Sequence, residues 1–211
     1  EGIAIVADRI AKLINRREAN GQKTVLSLAS GRSMRDLFVE LVRLHKEEGL
    51  SFKNVVVFGS YEFYPLADSS LGSMAQIQSQ LLDHIDILPE NVHTFPGDLP
   101  KETVFTFCEE YEKAIVEAGG IDVQVLGIGQ CGNIAMNEPG TQPNSSTRLV
   151  IMDGNSRVDV KSLFGNVAQV PTCAITLGVE TILQAKEVIL LAFGQHKASI
   201  VQQAIEEVAN A

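Results

Sequence analysis

The chain has 211 residues, of which 45% are hydrophobic and 20% charged, and its formal net charge is −9. A chain of this length can bury one sizeable core, and its apolar fraction is too high for an intrinsically disordered protein. The acidic balance argues against a surface that attracts nucleic acid or anionic lipid. It leaves room for a small anionic ligand, because a few local donors are enough to bind a phosphate group.

The cysteines and the lack of a targeting segment predict a cytoplasmic protein without membrane partners. The cysteines stand at positions 108, 131 and 173, and no CxxC pair occurs. An odd number of scattered thiols is typical of reduced, cytosolic proteins. The sequence has no signal peptide and no apolar run long enough to span a bilayer. The histidines lack the spacing of metal ligands, so we expect no metal.

Helical and extended patterns alternate along the first half of the chain. Ile3, Val6, Ile10 and Ile14 fall on one face of a helix, and the valine run at 54–59 is typical of a parallel strand buried on both faces. The predicted elements, in chain order, are a helix at 3–17, a strand at 24–29, a helix at 34–46, a strand at 54–59, a helix at 71–84, a short strand at 91–95 and a helix at 101–118.

The same alternation continues to the end of the chain. Strands are predicted at 123–129, 148–152, 173–177 and 188–193, and a last helix at about 197–207. Such alternation implies right-handed crossovers and a mostly parallel sheet between helices. We therefore predict one α/β domain over residues 1–211, with a three-layer, Rossmann-like architecture. Ligands of such folds bind at the carboxyl ends of strands, which here precede the loops after Ala29, Phe58, Leu126, Leu177 and Phe193.

The turn Ser30-Gly31-Arg32-Ser33 joins the first predicted strand to the second helix. A glycine permits a tight turn, so that backbone N–H groups, two hydroxyls and the helix dipole point at one spot, as in a phosphate cradle. The alternative is that Ser33 is only a helix N-cap, with Asp36 at the third helical position. The charge of Arg32 favours the anion site.

The segment from Gly127 to Gly132 matches the GxGxxG pattern of dinucleotide-binding proteins. That pattern also requires a helix that begins at the loop. Here Asn137-Glu138-Pro139-Gly140 and Pro143 follow, and they leave too few residues for a crossover helix of ordinary length. We therefore predict that this loop lets the backbone approach a ligand of another kind.

Two charged side chains near strand ends are further candidates. Glu62 follows the strand at 54–59 and is a candidate general base in a hydrophobic setting; the alternative, which the segment by itself favours, is a solvated loop residue. Lys197 stands at the start of the last predicted helix, where a cation opposes the helix dipole. That placement suits a bound anion, and the alternative is an ordinary surface lysine.

Taken in order, the motifs resemble those of the glucosamine-6-phosphate deaminase (isomerase) family, in the superfamily of ribose-5-phosphate isomerase and 6-phosphogluconolactonase. The likeness extends from the first strand to the last helix. It rests on SGRS at 30–33, SFKNVVVF at 51–58, SMAQ at 73–76, LLDHIDILPENVH at 81–93, GGID at 119–122, LGIGQCGNIAMNEPG at 126–140, SSTR at 145–148, AITLGVETIL at 174–183 and FGQHKA at 193–198.

The resemblance implies a sugar-phosphate ligand and no cofactor. The family moves a proton between C1 and C2 with an Asp of a DEY-type motif. It opens the sugar ring with a His of a GxDGHIAFNEP-type motif, supported by an Asp and a Glu. The binding residues implied by this correspondence are Ser30, Gly31, Arg32, Ser33, Gly129 and Lys197.

The chain departs from the family at these catalytic positions. Tyr61 stands at the base position, Cys131 at the supporting Asp and Asn133 at the ring-opening His, whereas Glu138 is retained. A phenol with a pKa of about 10 is a poor base at neutral pH, and each general acid–base group typically contributes about 10²–10⁴-fold. We predict that Glu62 takes the role of base and that Glu138 assists proton transfer, while Asn133 and Cys131 line the site.

Three functions remain open at this point. The first is an enzyme that converts an amino-hexose 6-phosphate to a ketose phosphate and ammonia by an altered mechanism. The second is a catalytically silent sugar-phosphate sensor or accessory domain. A 6-phosphogluconolactonase-like hydrolase is weaker, because that chemistry relies on the His replaced by Asn133. Members of the family usually continue past the last helix, so we expect a domain from a longer chain, compatible with an attached second domain or a homo-oligomer.

Overall fold

A computed structural model describes residues 2–206. Its helices are α1 (Gly2–Ala19), α2 (Arg32–Glu48), α3 (Ser73–Gln80), α4 (Val104–Glu117), α5 (Gly154–Phe164), α6 (Val179–Leu183) and α7 (Ala198–Glu206). Its strands are β1 (Thr24–Leu28), β2 (Val55–Gly59), β3 (Tyr61–Tyr64), β4 (Val92–His93), β5 (Val123–Gly127), β6 (Arg148–Ile151), β7 (Cys173–Thr176) and β8 (Glu187–Leu191). None of the helices within this range is long and apolar enough to cross a membrane.

The central layer is a parallel sheet of five strands in the order β4-β2-β1-β5-β8. Every residue of β1 and β2 is buried, because helices cover both faces of the sheet. Leu26 and Leu28 pack on one face against Phe38 of α2, whereas Val25 belongs to the opposite core with Tyr111 of α4. This alternation confirms the three-layer α/β architecture predicted from the sequence.

Three of the strands belong to a separate antiparallel sheet, in the order β3-β7-β6. The segment Tyr61–Tyr64 was expected to be a loop, but Tyr61 pairs with Thr176 and Tyr64 with Cys173. The prediction of one sheet is corrected in this respect, since β6 and β7 do not extend the parallel sheet. The partner of β3 lies far along the chain, so local sequence patterns do not reveal this pairing.

Helix α5 and the short helix α6 are absent from the sequence-based prediction. Helix α5 is mostly polar, which removes the apolar periodicity that reveals a helix. Its start is nevertheless marked by Asp153, whose side chain accepts a hydrogen bond from the N–H of Asn155. The last helix was predicted to reach position 207, which lies outside the described residues.

The imidazole of His93 gives the fold a pH-dependent contribution. Its ring stacks on Phe58 with the centroids 4.3 Å apart, and burial, followed by the charge of Lys23, lowers its pKa below the ordinary value. As the pH falls, the imidazole of His93 is therefore protonated at a higher pH in the unfolded chain than in the folded protein. We expect the free energy of unfolding to be fully retained above about pH 6.5, the unfolded value, and to decrease below it. Urea titrations across this range should show a shallower decrease for His93→Gln, whereas the exposed His84→Gln should follow the wild type.

Candidate functional site

An open cleft of about 290 Å³ lies at the carboxyl edge of the parallel sheet. Residues that follow β1, β5 and β8 line it, as expected for the ligand site of such a sheet. The cleft brings together eight of the residues predicted from the sequence, namely Ser30, Gly31, Arg32, Ser33, Tyr61, Gly129, Asn133 and Lys197. It does not include Glu62, Cys131 or Glu138 among its lining residues.

The loop after β1 forms the positively charged part of the cleft. Gly31 precedes α2 with a φ of 124°, a conformation that favours glycine, and no side chain caps the N-terminus of this helix. The alternative role of Ser33 as an N-cap is therefore wrong, since the helix already begins at Arg32. Unpaired N–H groups at a helix N-terminus attract anions, and Arg32 and Lys197 border the same space.

Tyr61 occupies the position of the family's base, and its hydroxyl lies 2.8 Å from Oγ of Ser30. Burial raises the pKa of the Tyr61 phenol above its ordinary value, partly opposed by the contact with Ser30. A phenol with a raised pKa is neutral at physiological pH. Tyr61 can therefore orient Ser30 and donate or accept a hydrogen bond, but it is a poor proton acceptor.

The glycine-rich loop after β5 carries Asn133 into the cleft. The loop turns back on itself, so that Gly129 N–H donates to the carbonyl of Asn133 at 2.8 Å. A Cβ at Gly129 would overlap the carboxamide of Asn133, which explains the need for glycine. Nδ2 of Asn133 donates to the carbonyl of Ala135 at 3.2 Å, and its buried Oδ1 has no partner among the described residues. The hydrogen-bonding capacity of this oxygen is therefore unused within the described residues.

Glu62 points away from the cleft. Its carboxylate accepts hydrogen bonds from the N–H groups of Phe63, Ser73 and Met74 at 2.8, 2.8 and 2.9 Å. Helix α3 has no capping side chain of its own, so Glu62 caps its N-terminus from the neighbouring strand. Burial raises the pKa of Glu62, partly opposed by these three donors. The predicted role of Glu62 as base does not fit this placement, because successive residues of a strand face opposite sides and Tyr61 takes the side of the cleft.

Glu138 and Cys131 lie beside the cleft rather than in its lining. Oε1 of Glu138 accepts from the N–H of Asp153 at 3.2 Å, just before α5, while its buried Oε2 has no partner among the described residues. Burial, together with Asp159 and other nearby carboxylates, raises the pKa of the Cys131 thiol, so a thiolate is disfavoured there. Glu138 is thus placed to support the backbone before α5 more than to contact a ligand.

Helix α5 forms one side of the cleft, and the sequence did not predict this helix. Ser156, Asp159 and Val160 line the cleft from this helix. Ser156 is only 3% exposed, and its Oγ has no hydrogen-bond partner within the described part of the chain. Asp153, the N-cap of this helix, directly follows the strand predicted at 148–152 and was the available signal for a helix start.

Comparison with known proteins supports the family suggested by these motifs. The family model described as glucosamine-6-phosphate isomerases/6-phosphogluconolactonase matches residues 1–211. The chain belongs to this family. A glucosamine-6-phosphate deaminase of Bacillus pumilus is 40% identical over 197 residues, which cover 91% of this chain and 79% of the relative.

Another relative of this chain is much longer. A glucosamine-6-phosphate deaminase-like protein of Bacteroides thetaiotaomicron is 45% identical over 207 residues, or 98% of this chain. The chain spans 31% of the length of that protein. A solved structure of a monomeric glucosamine-6-phosphate deaminase superposes with a TM-score of 0.91 at 30% identity, and covers 99% of this chain and 84% of its own.

Proposed function

We propose that this chain binds an amino-hexose 6-phosphate in the cleft without carrying out the family's ordinary proton transfer. The observation that carries this proposal is a contrast within the site: the groups suited to a phosphate face the cleft, whereas the candidate base does not. The Ser30–Ser33 turn, the N-terminus of α2 and Lys197 surround one open space suited to a phosphate. The carboxylate of Glu62, in contrast, is turned into the core.

The chemistry of deamination explains why this contrast matters. Isomerisation between C1 and C2 needs a group that accepts and returns a proton within hydrogen-bond reach of these carbons. Tyr61 is held neutral by its raised pKa, and Asn133 carries no titratable group. Each general acid–base group typically raises the reaction rate about 10²–10⁴-fold. Because this chain lacks these groups, ligand binding is better supported than catalysis.

Incubation with glucosamine 6-phosphate tests this proposal. Calorimetry should show saturable binding, while assays for ammonia and fructose 6-phosphate should detect no turnover above the uncatalysed rate. Turnover that disappears in Glu62→Gln would instead establish an enzyme of altered mechanism. The absence of binding for every sugar phosphate tried would refute both interpretations.

Lys197 is expected to provide much of the affinity. Lys197→Ala should weaken the binding of glucosamine 6-phosphate about 10- to 100-fold, because a hydrogen bond to a charged group contributes about 1.5–3 kcal/mol. Isothermal titration calorimetry at fixed salt measures this change. Lys101→Ala removes the same charge from an exposed position outside the cleft, and its affinity should equal that of the wild type. Equal affinities of all three proteins would contradict the assignment of Lys197.

A further inference from the structure

The cleft contains unpaired charges of both signs. Arg32 and Lys197 are cationic, whereas Asp36 of α2 and Asp159 of α5 are anionic. None of the four takes part in an ion pair within residues 2–206. A site that only binds phosphate gains nothing from a carboxylate in its wall, because like charges repel. The presence of Asp159 therefore points to a second, cationic group on the ligand.

The carboxylate of Asp159 has ample unused capacity for hydrogen bonds. Its one hydrogen bond from a described residue is a long contact of 3.4 Å between Oδ2 and the N–H of Gln130. An ionised carboxylate can accept about four hydrogen bonds. Asp159 is thus held near the glycine-rich loop while most of its lone pairs remain available to a ligand.

Two neutral oxygens in the same lining are also unsatisfied. Oγ of Ser156, a residue that is only 3% exposed, and Oδ1 of Asn133 have no partner among the described residues. Leaving a buried polar atom unpaired costs about 1–3 kcal/mol. Both residues line the cleft with Asp159, so a ligand that carries several N–H donors would satisfy them.

We propose that Asp159, with Asn133 and Ser156, binds the ammonium group of an amino sugar phosphate and selects this ligand over the corresponding neutral sugar phosphate. An ammonium group offers three donors and a positive charge, which match one carboxylate and two free oxygens. This inference rests on the proposed function, since the phosphate is assigned to the Ser30–Ser33 turn and Lys197. Asp159 is a specificity-determining residue in this arrangement.

Calorimetry with glucosamine 6-phosphate and glucose 6-phosphate tests whether Asp159 binds the ammonium group. The wild type should bind glucosamine 6-phosphate about tenfold more tightly than glucose 6-phosphate. Asp159→Asn should lose this preference by binding the amino sugar about tenfold more weakly, with glucose 6-phosphate bound as well as before or better. Asp8→Asn makes the same chemical change on the exposed surface of α1 and should keep the preference.

Ser156→Ala provides a second variant that preserves the fold, because it removes a buried hydroxyl that has no partner. This variant should bind glucosamine 6-phosphate about threefold more weakly and should bind inorganic phosphate as tightly as the wild type does. Equal wild-type affinities for the two sugars, or an Asp159→Asn variant that weakens both alike, would overturn the ammonium assignment and leave sugar-phosphate binding intact. If the wild type binds neither sugar phosphate, the proposed function fails as well.

Discussion

Glu62→Ala is expected to lower the free energy of unfolding by about 3–5 kcal/mol. The substitution removes the buried acceptor of three backbone N–H groups, two of them at the N-terminus of α3. Glu62→Gln should cost about 1–3 kcal/mol, because one amide oxygen can still serve Phe63 and Ser73 while the NH₂ group faces the N–H of Met74. Urea unfolding followed by circular dichroism measures both changes.

The same pair of variants separates the structural role of Glu62 from a catalytic one. Glu62→Gln should bind glucosamine 6-phosphate with the affinity of the wild type, measured at a temperature where both are folded. The exposed Glu102→Gln is the matched control and should change neither stability nor binding. A Glu62→Gln protein of unchanged stability that loses turnover would show that this carboxyl reaches the cleft, against the arrangement described above.

The second large effect is expected at Asp122, where Asp122→Ala should cost about 3–5 kcal/mol of unfolding free energy. Asp122 is 3% exposed. Its carboxylate accepts from the N–H of Val25 at 2.8 Å and from Lys186 at 2.6 Å, with Arg17 at 3.3 Å. Removing it leaves a buried N–H and two cations without their partner at the start of β1 and β5.

Thermal and urea unfolding of three variants check this expectation. Asp122→Asn keeps an oxygen for the Val25 N–H but loses the charge, so it should be intermediate between the alanine variant and the wild type. Asp8→Ala breaks only an exposed pair with Lys12 and should cost at most about 0.5 kcal/mol. If Asp122→Ala unfolds like Asp8→Ala, the buried carboxylate does not hold α1 and the two strands together.

Many of the residues that line the cleft could be predicted from the sequence. Each strand–turn–helix unit carries its own signals: a buried apolar strand, a glycine where the backbone must turn, and an amphipathic helix. Parallel strands place their carboxyl ends at one edge, so turns far apart in the chain meet there. Ser30, Arg32, Asn133 and Lys197 share one cleft for this reason.

Two parts of the site depended on the tertiary structure. Residues 61–64 form a strand only because they pair with β7, and that pairing decides that Tyr61 faces the cleft while Glu62 faces the core. Helix α5 is too polar to be recognised by periodicity, and its packing alone brings Ser156 and Asp159 to the cleft.

The sequence by itself determined the α/β architecture, the family and many of the residues that line the cleft, because these follow from local patterns and from chain order. Only the tertiary structure decided which carboxylates face the cleft. The direction of a side chain on a short strand depends on the register of a distant partner strand. A single residue of register therefore separates a carboxylate that caps a helix from one that would face the cleft.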